Sequence, residues 1–211
     1  MLMLAAPLAA IVAAYLVGSL SFAVIVSRAM GLADPRSYGS GNPGATNVLR
    51  SGRRSAALLT LCGDALKGAA GVAIGRWVGG DADGGDLAAL CAGAAFAGHL
   101  YPVFFRFQGG KGVATFLGAL AALQPWVGLA ICVVWLAVAA TTRYASLASM
   151  LAAAAALLAQ FVIGAHAIVV AVVLVMAALL IARHRGNLAN LRAGRERRIG
   201  ERAPAGPAPG P

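Results

Sequence analysis

Residues 112–142 have the sequence GVATFLGALAALQPWVGLAICVVWLAVAATT, and not one of these 31 residues is charged. An α-helix needs roughly 20 apolar residues to cross a bilayer, so the run is long for one crossing and short for two. Gln124-Pro125 divides it, and proline favours the first turn of a helix over its interior. The pattern predicts a short helix, Val113–Leu123, followed by a full membrane span, Trp126–Thr141.

Three further runs without charge lie on either side of this stretch, at Met1–Ser27, Leu87–Phe105 and Tyr144–Ala182. Hydrophobic residues make up 60% of the chain and charged residues 11%, whereas a soluble domain typically carries about 25% charged residues. The last run is long enough for a hairpin of two spans that turns near Gly164–His166. These features indicate an all-α, polytopic bundle of membrane helices.

The N-terminal run has two interpretations, a cleaved signal peptide and a retained first span. A signal peptide begins with a basic segment and ends at a small-residue cleavage site. Here the first cation is Arg28, which follows the apolar run instead of preceding it. We therefore expect a retained span from about Met3 to Val26.

Charge asymmetry predicts which loops face the cytoplasm, because cytoplasmic loops are enriched in Lys and Arg. The loop Arg28–Arg54 carries five arginines and one acid, whereas Gly79–Asp86, between the predicted spans Ser55–Val78 and Leu87–Phe105, is acidic and glycine-rich. The expected topology has seven spans, with the N-terminus outside and the C-terminus cytoplasmic. A five-span variant, with the short 113–123 segment re-entrant, stays open.

The remaining composition indicates one membrane domain over residues 1–202 and a disordered Pro/Gly/Ala-rich tail over 203–211. The net charge is +10, but the cations lie in loops beside apolar spans. Membrane lipid and phosphorylated small molecules are therefore the expected partners, and nucleic acid is not. The cysteines lie far apart in apolar segments, so we expect no metal site and no cofactor.

Two glycine-rich segments on the predicted cytoplasmic side suit an anion. In GSGNPGATNVLR, residues 39–50, the glycine backbone, the neutral donors and Arg50 could together bind a phosphate; an ordinary turn-rich loop is the alternative. GGKG, residues 109–112, precedes a helix, whose N-terminus favours an anion. This segment lacks the spacing and the hydroxyl of a P-loop, which argues against an NTPase.

Two further segments on the same side carry cations. Arg143 precedes Ser146 and Ser149, which share a helix face, although serines in membrane helices often bond to their own backbone or pack against another helix. Residues 184–200 are basic with interleaved apolar residues, and a positive-inside anchor at the membrane surface accounts for several of these arginines.

Charged residues also occur inside a predicted span. Asp64 and Lys67 lie three residues apart in the second span, a spacing that allows them to pair. They could belong to the site or form an internal strut beneath it. His166, at the predicted outer turn, is expected to be incidental.

Taken together, these segments resemble the bacterial acyl-phosphate:glycerol-3-phosphate acyltransferase family. The matching segments follow in the correct order over residues 40–200. The resemblance implies a seven-helix enzyme of the bacterial inner membrane with its active site on the cytoplasmic face. Such an enzyme transfers a fatty acyl group from acyl phosphate to the 1-position of glycerol 3-phosphate, giving lysophosphatidate and phosphate in phospholipid synthesis.

The resemblance also implies roles for the matching residues. Ser40 and the adjacent glycine-rich backbone would hold the phosphate of acyl phosphate, and Lys111, Arg50 and Ser149 would hold glycerol 3-phosphate. His184, Asn187 and Ser149 are the candidate catalytic residues. The candidate substrate-binding residues are Ser40, Gly41, Asn42, Gly44, Thr46, Asn47, Arg50, His99, Gly109, Gly110, Lys111, Gly112, Arg143, Ser146, Ser149 and Asn187.

The choice between acyl donors can be argued from whether the sequence contains a histidine–aspartate pair that could act as a general base. Acyltransferases that use thioesters commonly rely on a histidine followed closely by an aspartate, and neither His99 nor His184 has an acid in the next five residues. Acyl phosphate is already activated, so aligning two substrates could suffice without a side-chain base. An acyltransferase that uses acyl-CoA or acyl carrier protein is the nearest alternative, and an organic-phosphate transporter is the alternative from another class.

Overall fold

The computed structural model describes residues 2–80 and 85–201, and every regular element among them is helical. The predicted tail, 203–211, and most of the acidic glycine-rich loop lie outside the described residues. We number the α-helices α1 to α10 in chain order. Their bounds are α1 Leu2–Gly18, α2 Phe22–Ala29, α3 Ala45–Val48, α4 Arg54–Gly79, α5 Asp86–Leu100, α6 Val113–Leu123, α7 Pro125–Thr142, α8 Ala145–Val162, α9 Ala167–Arg183 and α10 Arg185–Arg192.

Four segments of the described chain are long and apolar enough to cross a membrane alone: α4, Asp86–Phe105, α7 and α8. The count becomes six when each of two bent helix pairs, α1 with α2 and α9 with α10, forms one span. The predicted count of seven needs α6, an apolar helix of 11 residues, as a further crossing. The bounds of α6 are those that the sequence predicts, because Gly112 lies directly before this helix and Pro125 begins the next one.

The first span is broken, in contrast to the continuous helix expected over Met3–Val26. α1 ends at Gly18 and α2 begins at Phe22, with a bend of 43° between the two helices. The break leaves the carbonyl of Leu20 free of a helical partner, and the Nζ of Lys67 donates to it at 2.6 Å. A cation from α4 thus stabilises the bend in the first span.

The third span also departs from the continuous Leu87–Phe105 helix that the charge-free run indicates. α5 ends at Leu100, and a short 3-10 turn, Val103–Phe105, follows Pro102. Proline disfavours helical geometry in the residue before it, which explains why the α-helix ends at this point. The remaining run predictions agree with α4, α7, α8 and α9 to within about two residues.

The helices pack closely around α4 because its glycines admit neighbouring backbones. A Cβ at Gly68 would lie 2.2 Å from the carbonyl oxygen of Thr115 in α6, and one at Gly75 would lie 2.5 Å from the Cα of Ala88 in α5. Small residues at helix interfaces permit this approach in membrane proteins. α4 therefore forms the centre of the bundle and fixes α1, α5 and α6 around it.

The two ends of the bundle differ in composition. At one end, the Nδ1 of His166 lies 2.6 Å from an oxygen of Asp86, and Arg76 donates to the carbonyl of Leu123 at 2.9 Å. His166 thus has a defined partner at this end. The loops that carry the predicted phosphate-binding segments all meet at the other end.

Candidate active site

A cavity of about 430 Å³ opens at the end where these loops meet, and all four predicted segments contribute to its wall. Side chains that are far apart in the sequence are neighbours here because the first half of α4, the N-terminal turns of α6 and α8, and the residue that follows α9 all lie beside this cavity. The predicted residues that line it are Ser40, Asn42, Gly44, Thr46, Asn47, Arg50, His99, Lys111, Gly112, Ser146, Ser149, His184 and Asn187.

Four predicted residues lie elsewhere. Gly41 and Gly109 line an adjoining polar cavity of about 480 Å³, to which Lys111 also contributes. Gly110 lies behind the main cavity, where a Cβ would meet the Nε2 of His99 at 2.3 Å. Arg143 lines neither cavity, since its Nη2 donates to the carbonyl of Ile199 at 2.9 Å and its own carbonyl accepts the N–H of Ile199 at 2.7 Å.

The 39–50 segment is held in shape by Asn47, which is buried with 2% of its surface exposed. Its Oδ1 accepts the backbone N–H of Ser40 at 3.0 Å, and its Nδ2 donates to the carbonyl of Pro35 at 2.7 Å. The close approach of this side chain also requires glycine at position 39, where φ is 62°. Asn47 therefore shapes the loop that presents Ser40 and Arg50 to the cavity.

The GGKG segment packs so tightly that glycine is required on either side of Lys111. A Cβ at Gly109 would lie 2.1 Å from the carbonyl oxygen of His99. Gly112 adopts a φ of 84° and precedes α6, so the helix begins directly after the segment. The positive end of the α6 dipole and the Lys111 ammonium are thereby brought to one wall of the cavity.

A continuous hydrogen-bond network crosses the cavity from Lys111 to the C-terminal segment. The Nζ of Lys111 donates to the Oδ1 of Asn187, and the Nδ2 of Asn187 donates to Glu196 Oε1 at 2.7 Å. The same carboxylate oxygen accepts the hydroxyl of Ser146 at 2.7 Å. Glu196, which was not among the predicted site residues, thus connects two residues that were.

Ser149 has two partners, one of which the sequence did not indicate. Its hydroxyl donates to the carbonyl of Ala145 at 2.6 Å, as serines in membrane helices often do. It also accepts the indole N–H of Trp135 at 3.0 Å. Trp135 lies in a charge-free span, where periodicity alone marks it only as apolar.

Beneath the cavity lies a buried polar cluster centred on Asp64. One carboxylate oxygen of Asp64 lies 2.9 Å from the Nζ of Lys67 and 3.5 Å from the Nδ1 of His99. The Thr115 hydroxyl lies 3.2 Å from the same ring nitrogen of His99. Asp64 and His99 also line the cavity, so the cluster connects the internal ion pair to the floor of the site.

Cations and acids both line the cavity. Burial lowers the pKa of Lys111 below its ordinary value, and the guanidinium groups of Arg50 and Arg183 lower it further, against the opposing effect of Glu196. Burial likewise lowers the pKa of Arg50. The charged lining residues are Arg50, Lys111, Arg197, Arg198, Asp64 and Glu196.

One wall of the cavity is apolar. Leu61 of α4, Val113 and Leu117 of α6, and Leu136 of α7 form it together with the ring of Trp135. A molecule with a charged head and an apolar chain would match both parts of the lining. Within residues 2–80 and 85–201, no group of three or more His, Cys, Asp or Glu side chains is placed to hold a metal ion.

The chain is similar to proteins of one enzyme family over most of its length. The family model described as Glycerol-3-phosphate acyltransferase matches residues 8–194. A protein of that name from Burkholderia pseudomallei (strain 1710b) is 58% identical over 202 residues, which cover 94% of this chain and 98% of that protein. Another from Ralstonia pickettii (strain 12J) is 55% identical over 197 residues, which cover 92% of this chain and 94% of that protein.

Solved structures are similar as well. A crystal structure of PlsY (YgiH), an integral membrane glycerol 3-phosphate acyltransferase in its glycerol 3-phosphate form, has a TM-score of 0.85 at 40% identity and covers 92% of this chain and 96% of that chain. A crystal structure of PlsY in its lysophosphatidic acid form has a TM-score of 0.83 at 39% identity, with 92% and 95% covered.

Proposed function

The chain belongs to the glycerol-3-phosphate acyltransferase family, and we propose that it transfers a fatty acyl group from acyl phosphate to the 1-position of glycerol 3-phosphate. The products are lysophosphatidate and inorganic phosphate, and the reaction serves phospholipid synthesis. Acylation of glycerol 3-phosphate by an integral membrane protein follows from the family and from PlsY. The donor, the products and the residue roles are the proposal.

The observation that carries the proposal is the composition of the cavity, in which an apolar wall adjoins a polar lining that is rich in cations and hydrogen-bonding groups. The apolar wall suits a fatty acyl chain. Two phosphate groups, one on each substrate, suit the cations and the glycine-rich backbone. Ser40 and its loop would hold the acyl phosphate, while Lys111, Arg50 and Ser149 would hold glycerol 3-phosphate.

In the proposed reaction, the 1-hydroxyl oxygen of glycerol 3-phosphate attacks the acyl carbonyl carbon. A new ester bond forms as the bond between the carbonyl carbon and the phosphate oxygen breaks, and a phosphate oxygen accepts the hydroxyl proton. Phosphate is a good leaving group, so the protein mainly aligns the substrates and stabilises the developing negative charge. Lys111 and Arg50 supply positive charge at the site.

The environment of His184 is evidence for a reaction that uses no side-chain base. Its Nδ1 donates to the Leu180 carbonyl at 2.8 Å, which leaves Nε2 as the acceptor on that ring. His184 follows the last residue of α9, and burial lowers its pKa to about 4. A neutral imidazole with so low a pKa is a weak base at neutral pH. We assign His184 to hydrogen bonding with substrate.

We further propose that the protein lies in the bacterial inner membrane with seven spans, its N-terminus outside and its C-terminus cytoplasmic. The support is the positive-inside rule, because the loops around the cavity carry most of the chain's cations. The active site then faces the compartment that holds water-soluble glycerol 3-phosphate, while the acyl chain enters from the membrane.

The decisive experiment uses the purified protein with acyl phosphate and glycerol 3-phosphate, and measures phosphate release together with formation of the acylated product. Parallel reactions replace acyl phosphate with acyl-CoA or with acyl carrier protein. We expect product and stoichiometric phosphate with acyl phosphate. Product from a thioester alone would overturn the donor assignment and leave the acceptor assignment intact.

A further inference from the structure

Arg183, the last residue of α9, binds the backbone of the GGKG segment from outside the main cavity. Its Nη2 donates to the carbonyl of Gly109 at 3.0 Å and to that of Gly110 at 3.1 Å. Its Nε donates to Gly110 at 3.2 Å, and Nη2 also reaches the carbonyl of Leu100 at 3.2 Å. One guanidinium therefore donates hydrogen bonds to carbonyl groups at the end of α5 and in the glycine-rich segment.

The guanidinium is itself held in place by an aromatic ring. Its central carbon lies 5.4 Å from the ring centroid of Tyr101, within the range of a cation–π contact. The backbone carbonyl of Tyr101 accepts the hydroxyl of Tyr15 at 2.7 Å. Arg183 is consequently held against Tyr101 at the end of α5, and Tyr101 is in turn hydrogen-bonded to α1.

These contacts decide how the peptide groups around Lys111 are oriented. In a trans peptide, the carbonyl and the following N–H point in opposite directions. Binding of the Gly110 carbonyl by Arg183 therefore turns the N–H of Lys111 away from Arg183. The N–H of Gly110 is also engaged, because it donates to the carbonyl of His99 at 3.2 Å.

We propose that Arg183 is a positioning residue for acyl transfer, which holds the Gly109 and Gly110 carbonyls so that Lys111 and its backbone N–H face the substrate phosphate. The inference rests on the proposed function only for its kinetic consequence. Within the described residues, Arg183 has no carboxylate within 4.0 Å, so carbonyl groups are its acceptors. A planar fork with five N–H donors can bind several carbonyls at once, which a lysine ammonium on a flexible stem cannot match.

The kinetic test compares Arg183→Gln and Arg183→Lys with Arg54→Gln, a control that removes an exposed arginine at the first turn of α4. Misplacement of a binding group by about 1 Å can cost 100-fold, so we expect Arg183→Gln to raise the KM for glycerol 3-phosphate about tenfold or more. Arg183→Lys should recover little of this loss, and Arg54→Gln should match the unsubstituted protein. Unchanged KM values in Arg183→Gln would overturn the proposal, as would a loss fully explained by a smaller folded fraction.

A second measurement does not depend on the reaction at all. Hydrogen exchange of peptides that cover residues 109–112 reports whether the segment is held, with α8 as an internal reference. We expect Arg183→Gln to accelerate exchange at Gly110 about tenfold or more while α8 stays protected, since the lost contacts are local. Equal acceleration across the bundle would indicate a general role in stability and overturn the proposal. If exchange accelerates only at residues 109–112 and the protein does not use acyl phosphate, the role of Arg183 stands and only the assignment of acyl phosphate as the donor is refuted.

Discussion

Lys111 donates a hydrogen bond to the Oδ1 of Asn187, 76 residues further along the chain. Because the Nδ2 of Asn187 donates to Glu196, the amide has only one orientation that serves both partners. An ammonium has three hydrogens, so Lys111 keeps further donors for a phosphate while Asn187 fixes its direction. The pair joins the glycine-rich segment before α6 to the surface helix α10.

Substitution of Lys111 by alanine tests this arrangement. Hydrogen bonds to charged groups contribute about 1.5–3 kcal/mol, so Lys111→Ala should lower kcat/KM for glycerol 3-phosphate about 100-fold, mainly through KM. Steady-state kinetics with varied glycerol 3-phosphate measures the effect, and melting temperature shows whether the variant is folded. A folded Lys111→Ala protein with an unchanged KM would contradict the assigned role.

The lowered pKa of Lys111 predicts a pH dependence with a definite sign. Burial favours the neutral amine, so the charge is lost at a lower pH than for an ordinary lysine, near 10.4. The KM for glycerol 3-phosphate should therefore be low below the Lys111 pKa and rise as the pH increases through it. Arginine stays charged throughout this range, so in Lys111→Arg the alkaline rise should move to higher pH. The same alkaline rise in both proteins would assign it to another group.

Local patterns predicted most helix bounds, because a charge-free run ends where a charged or turn-forming residue occurs. Gly112 and Pro125 set both limits of α6 in this way. The break after Gly18 was not predicted, although Gly18-Ser19 is a local signal at this place. The group that stabilises the break, the Lys67 ammonium that binds the Leu20 carbonyl, comes from 47 residues away.

The sequence predicted which residues lie at the site better than it predicted the hydrogen bonds that they make. The segments with glycines and cations do meet around one cavity, and they could be identified because each has an anion-binding pattern that is visible in the sequence. Arg143 carries the same signal, yet its guanidinium binds the Ile199 backbone. Trp135 and Arg183 were missed because their roles depend on partners, Ser149 and the Gly109–Gly110 carbonyls, that only the fold brings to them.

His184→Ala distinguishes a reaction without a side-chain base from one that uses a histidine. General base catalysis contributes about 10²- to 10⁴-fold, but a His184 with a pKa of about 4 is a weak base at neutral pH. We expect a residual rate, with a smaller loss of kcat/KM than Lys111→Ala shows. Single-turnover measurements at saturating substrates isolate the chemical step. A His184→Ala protein as inactive as Lys111→Ala, with normal substrate binding, would make His184 the base.

Glu196 accepts hydrogen bonds from both Ser146 and Asn187, so we expect it to affect both stability and substrate binding. Glu196→Ala removes a charged acceptor shared by two donors, and a hydrogen bond to a charged group contributes about 1.5–3 kcal/mol. We expect a lower melting temperature and a higher KM for glycerol 3-phosphate. Glu196→Gln keeps a carbonyl oxygen and should retain most of both properties. If Glu196→Gln loses as much as Glu196→Ala, the negative charge matters more than the acceptor geometry.

The Asp64–Lys67 pair gives a prediction about stability. Both side chains are buried, with 4% and 2% of their surface exposed, and removal of one partner from a buried ion pair costs about 3–5 kcal/mol. Asp64→Asn and Lys67→Met should each lower the melting temperature by roughly 10 °C. Because each change leaves the other partner without its counter-charge, the double variant should lose less than the sum of the two.

The control for this pair is Leu66→Ala, which alters an exposed side chain on the same helix and should leave the melting temperature nearly unchanged. Lys67→Met carries an additional cost, because it also removes the donor to Leu20 at the bend between α1 and α2. The double variant should therefore remain less stable than the unsubstituted protein. Strictly additive losses would show that Asp64 and Lys67 act independently, and the bend alone would then explain why a lysine lies inside the bundle.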